Sequence, residues 1–125
     1  MNKIVRNYLI NLARKKTNQV VTYQKLSDDC NLKLDMVNPC HRTVIGNILG
    51  EISTFEHQKN RPLISALVLR KGDDYEGDGF YKLSERLGFG NWKKLKKEGE
   101  FEIVQINKSI EKWSDDNFYA KYKLI

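Results

Sequence analysis

Cysteine, proline and glycine are all scarce in this 125-residue chain, which holds two Cys, two Pro and eight Gly. That scarcity excludes collagen-like and low-complexity sequence. Cys30 and Cys40 are too few for a disulfide framework and fit no multi-ligand zinc spacing, so both are expected as free thiols and no metal or cofactor is expected. No apolar run approaches the ~20 residues needed to cross a bilayer. The first residues carry no apolar stretch with a small-residue cleavage site, so the expected location is the cytoplasm.

What is present reads as globular protein. Hydrophobic residues make up 40% and charged residues 30% of the chain, enough for one domain to bury a core without staples. The formal net charge is +6, from 22 basic and 16 acidic residues. Such a balance favours a polyanion such as nucleic acid; its bland counterpart is a lysine-rich solvated surface.

Apolar residues at Ile4, Val5, Tyr8, Leu9, Leu12 and Ala13 have helical spacing, with Lys3, Arg6, Asn7, Asn11 and Lys15 opposite. Val20-Val21 reads as a short extended entry, and Thr22 as the cap of a second helix. Residues 31–37 form a connector. Asn38-Pro39 is a strong helix start, followed at helical period by Val44, Ile45, Ile48, Leu49 and Ile52, so a third helix is expected to about residue 52. A polar stretch, residues 56–61, separates it from Pro62–Leu69, an apolar run of strand length. Arg70–Asp74 and Gly77-Asp78-Gly79 read as turns. Phe80, Leu83 and Leu87 predict a short helix closed by Gly88. The basic run 93–97 follows, as a phosphate-contacting patch or a solvated helix face. Ile103, Ile106, Ile110 and Trp113 predict a last helix, and residues 114–125 a loose or docked tail.

Helix, short helix, connector, longer helix, then strand and turn is the order of a winged helix-turn-helix. The expected fold is thus one α+β domain, mainly helical: a winged-helix-like core over about residues 1–88 and a C-terminal helical extension over about 89–125.

Two motifs sharpen this. Pro39-Cys40-His41-Arg42 equals the active-site tetrapeptide of the alkylguanine-DNA alkyltransferases, but it opens a helix here. A different register fits more of the chain. Val21-Thr22-Tyr23-Gln24-Lys25-Leu26 resembles the family's Ile/Val-Ser/Thr-Tyr-Gly/Gln-x-Leu/Ile segment. Arg42–Leu49 resembles its recognition-helix pattern Arg-Ala-Val-Gly-x-Ala-Leu/Met, with one residue of slippage at Ile45-Gly46. Asn60–Leu69 resembles the segment that carries the reactive cysteine, and Gly72 to Gly79 its glycine-rich turn. In this register the cysteine position falls at Ala66 or a neighbour. The chain therefore resembles the alkyltransferase-like proteins, which keep the fold without the cysteine. It departs from them in a connector, residues 27–38, that is a few residues longer, and in a tail from about residue 90 with no counterpart.

The resemblance implies non-catalytic binding of nucleic acid, DNA ahead of RNA, at a modified or flipped base. It assigns Tyr23 to rotating the target phosphate and Arg42 to filling the gap left by the flipped base. Arg42 and Asn47 would face bases; Tyr23, Lys25, Arg70 and Lys71 would face phosphates, with His41 beside them. Tyr23 could equally be a core aromatic and Arg42 a first-turn surface arginine.

Alternatives stand beside this reading. Cys40, at a helix N-terminus next to His41, has the setting of an activated thiol, or is an incidental one. Asp73, Asp74, Glu76 and Asp78 crowd one turn, either as a solvated acidic loop or as a Mg²⁺ or Ca²⁺ site. A metal there would imply a small nuclease or toxin-type effector, with Glu51, His57, Arg61 or Lys71 as partners. Trp92, Trp113, Phe118, Tyr119 and Tyr122 could form an interface with another protein, or simply pack the tail.

Overall fold

A computed structural model describes residues 1–70 and 77–125. The expected acidic turn at Asp73, Asp74 and Glu76, together with Lys71, lies outside the described residues. The fold is α+β and mainly helical. Its helices are α1 (Lys3–Ala13), α2 (Tyr23–Asp29), α3 (Pro39–Gln58), α4 (Asp78–Arg86), α5 (Trp92–Glu98), α6 (Glu100–Ser114) and α7 (Asp116–Tyr122). Two short strands, β1 (Val21–Thr22) and β2 (Val68–Leu69), pair in parallel, Val21 with Val68 and Thr22 with Leu69. No helix among the described residues is long and apolar enough to cross a membrane.

The helix starts follow their capping residues. The Asn2 side chain accepts from the Val5 amide, Thr22 from Lys25 and Asn38 from Cys40, with Pro39 in the first turn of α3. The Asn38 cap seats the helix that carries Arg42. Replacing Asn38 with Ala is expected to lower stability by about 1 kcal/mol in urea unfolding. An unchanged midpoint would show that Pro39 alone sets the start.

α3 runs six residues past its expected end. Its inner face continues Ile45, Leu49 and Ile52 into Ser53 and Glu56, all buried. The last two are polar, which hides the continuation from hydropathy. Ser53 Oγ donates to Ser65 Oγ at 2.6 Å and accepts from the Ser65 amide at 3.1 Å. This is also why Pro62–Leu69 is not a strand along its length. Residues Ile64–Leu67 wind into a 3-10 turn, and only Val68–Leu69 extends. The backbone donors of Leu63 and Ser65 are met by the side chains of Gln105 and Ser53 rather than by a neighbouring strand. Three further expectations change. Asp78 and Gly79 belong to the first turn of α4, the basic run lies in α5, and the tail forms α7. Gly88 closes α4 as expected, at φ +95°.

The core sits between α1, α3, α6 and the 3-10 turn. Val5, Leu9, Ile10 and Ala13 of α1 pack with Ile45 and Ile52 of α3, Leu67 and Trp113. A second cluster joins Leu63 and Ala66 to Phe80 and Tyr81, flanked by Trp92, Leu95 and Phe101. Residues beyond 89 thus share the core of the domain. Ile4, Val44 and Ile103, all assigned inward by their spacing, are exposed instead.

Arg6, assigned to the solvent face, is buried. Its Nε lies 2.7 Å from Glu56 Oε1, and Arg61 Nε binds the other carboxylate oxygen. The two guanidiniums also donate to the carbonyls of Tyr122, Lys123 and Ile125. This charged triad joins α1, α3 and the loop after it to the end of α7.

Candidate nucleic-acid interface

Two adjoining clefts flank the first half of α3. The first, about 410 Å³, lies between α3 and α4; the second, about 800 Å³, runs from α3 toward the connector and the start of α4. Tyr23, Arg42, Gly46 and Gly79 line both. Tyr23 is placed there as the first residue of α2, directly after β1. Arg42 is placed by the Asn38 cap, which fixes where α3 begins.

The sequence-derived residues divide. Tyr23 and Arg42, distant in the chain, meet at the clefts; Asn47 lines the first and Arg70 the second. Lys25 lines neither, and its ammonium sits 3.1 Å from Asp29. His41 lines neither, and its Nδ1 accepts from the Asp35 amide at 2.8 Å. Lys71 is outside the described residues.

The charge around the first cleft is one-sided. Arg42, Lys82 and Arg86 line it, and no described carboxylate does. Arg42 and Arg86 enter no salt bridge among the described residues. Asp78, at the second cleft, binds the Lys96 ammonium, and that hydrogen bond holds its carboxyl below the usual carboxylate range. Lys82 and Arg86 were not singled out by the sequence. The signal was there, as two cations one turn apart on a helix predicted from Phe80, Leu83 and Leu87.

At Gly46, which lines both clefts, α3 presents backbone without a side chain. A Cβ added at Gly46 would meet nothing within 4 Å. Glycine in a helix interior is about 1 kcal/mol less favourable than alanine, and packing inside the protein does not require it here. Ser65 reaches the first cleft, whereas Ala66 beside it is fully buried in the second cluster.

The alternative chemistries find little assembled. Cys40 is exposed, and it shares no hydrogen bond with His41 among the described residues. With Nδ1 accepting, a neutral His41 carries its proton on Nε2. No group of three or more His, Cys, Asp or Glu among the described residues is placed to hold a metal. The proposed metal partners are dispersed: Arg61 is buried on Glu56, His57 packs on Phe89, and Glu51 lies 3.1 Å from the Met1 amino group. Comparison with protein-family models, curated proteins and solved structures gives no match for this chain.

Proposed function

We propose that this protein binds nucleic acid without catalysis, DNA ahead of RNA, through the N-terminal half of α3, and that it reads a modified or flipped base there in the manner of the alkyltransferase-like proteins. The observation that carries this reading is the meeting of Tyr23 and Arg42 at one cation-lined cleft, since they are the two residues to which the resemblance gives roles. The order α1, α2, α3, then β2 supports a winged-helix relationship. A flipped base needs a recess and a wedge. The clefts supply the recess. Arg42 supplies a planar cation that stacks and still donates hydrogen bonds. Bare backbone at Gly46 lets a strand come close. At the position matched to the reactive cysteine stand Ser65 and Ala66, neither of them a thiol.

The test is fluorescence anisotropy against labelled duplex DNA, single-stranded DNA and RNA, each with and without an alkylated guanine. The wild type is expected to prefer the alkylated duplex. Arg42→Ala is expected to lose roughly 10- to 100-fold of that affinity, the range of one good base contact. Equal affinity of the wild type for alkylated and plain duplex would remove the lesion-reading part. Absence of binding to every probe would remove the nucleic-acid reading altogether.

A further inference from the structure

The acids and cations of α4 share one broad surface, and the acids already have partners. Its two acids turn toward α5, where Asp78 binds the Lys96 ammonium and Glu85 Oε1 accepts from the Trp92 amide at 3.2 Å. Its two cations, Lys82 and Arg86, line the cleft shared with α3, Lys82 also lying close enough to Asp78 to help hold that carboxyl low. They sit four residues apart, hence on one face and about 6 Å apart along the axis. Lys82 Nζ lies 5.1 Å from the centre of the Trp92 ring, which holds the stem in place while its N–H donors stay exposed. Its carboxylates are taken up by α5, and the pair of cations faces a groove that no described carboxylate lines.

We infer that Lys82 and Arg86 form a phosphodiester-binding subsite on the α4 wall of the cleft, distinct from the Tyr23–Arg42 apex and taking the sugar-phosphate backbone rather than a base. This rests on the nucleic-acid reading above. The apex engages the read base, while the α4 pair fixes the strand alongside it, so its contribution is independent of sequence and lesion. Each neutralised phosphate adds about 0.9 to the slope of log affinity against log salt on duplex DNA. Two such contacts change affinity by about tenfold between ~50 and ~200 mM salt.

The experiment is a salt series on labelled duplex DNA, with and without an alkylated guanine, for wild type, Lys82→Ala/Arg86→Ala, Lys82→Arg/Arg86→Lys and Arg42→Ala. Both side chains are exposed, so the double alanine variant is expected to melt with the wild type. Its salt slope should fall by about 2, its affinity at ~50 mM salt by about tenfold or more, and its preference for the alkylated duplex should persist. The charge-preserving exchange should restore the slope. A double alanine variant with the wild-type slope overturns this subsite, and does so alone if Arg42→Ala still abolishes lesion preference. Loss of lesion preference equal to that of Arg42→Ala also overturns it, because the pair would then act on the base. A wild type that binds no probe overturns both this subsite and the reading beneath it.

Discussion

Glu56→Ala should cost this domain about 3–5 kcal/mol, the range for breaking a buried ion pair by removing one partner. Glu56 is fully buried, and Arg6 and Arg61 are 4% and 5% exposed. Without the carboxylate, two guanidiniums remain close together out of water, with only carbonyls of the α7 end to receive their protons. One Nη of Arg61 has no hydrogen-bond partner among the described residues, so no spare acceptor is described there to absorb the change. A small domain is stable by about 5–15 kcal/mol, so much of that margin would go. Urea unfolding measures it directly. The comparison that isolates the charge is Arg6→Met/Glu56→Leu/Arg61→Met, expected to lie nearer the wild type because it removes all three charges together and leaves only the part-buried main-chain oxygens of Tyr122, Lys123 and Ile125 to be met by water. If Glu56→Ala loses less than about 1 kcal/mol, water reaches the triad and the pairing is not what holds α7 in place.

Trp113→Ala is expected to lose a similar amount, about 3–5 kcal/mol, by opening a cavity in the main core. The indole is fully buried, stands edge-on to Phe118 with ring centres 4.9 Å apart, and lies 5.5 and 6.0 Å from the guanidiniums of Arg6 and Arg61. Its Nε1 has no hydrogen-bond partner among the described residues, so Trp113→Phe removes no described bond, keeps a ring face and should be far milder. The alanine variant should also become cleavable by protease beyond residue 114, since Phe118 and Tyr122 of α7 lose their anchor. Trp113 lines neither cleft, so affinity per folded molecule should not change. A tail that stays protease-resistant in Trp113→Ala would mean that α7 is held by the triad alone.

Local chemistry was the legible part of this chain. Asn38-Pro39 marked the start of α3, Thr22 the start of α2, and Gly88 the close of α4, because each acts on backbone groups within a few residues. Side chains whose surroundings come from elsewhere were not legible. Arg6 read as solvent-facing and Glu56 and Arg61 as part of a polar stretch, and the three become core because Arg6 and the end of α7 reach them from far along the chain. The run Pro62–Leu69 has the composition of a buried strand. Its shape was decided by Ser53 and Gln105, which satisfy its backbone from two different helices. The site shows the same division. Tyr23 and Arg42 stood out in sequence and share a cleft, whereas Lys25 and His41 stood out and face other neighbours. Lys82 and Arg86 matter only once α4 is seen to commit its carboxylates to α5.

The parallel pairing of β1 with β2 has a kinetic meaning. Tyr23 follows one of these strands directly, and Ser65 precedes the other by a few residues, so the two-residue ladder is the seam that brings them together. Helices form on the microsecond scale from neighbouring residues. Val21 meets Val68 only after the long intervening chain, α3 included, has been brought round, and that closure has to be made before its contacts can reward it. The recess around Arg42 is therefore expected to be complete only once that closure is made, and a form that keeps α3 and α4 without the ladder is expected to lack Tyr23 from its wall.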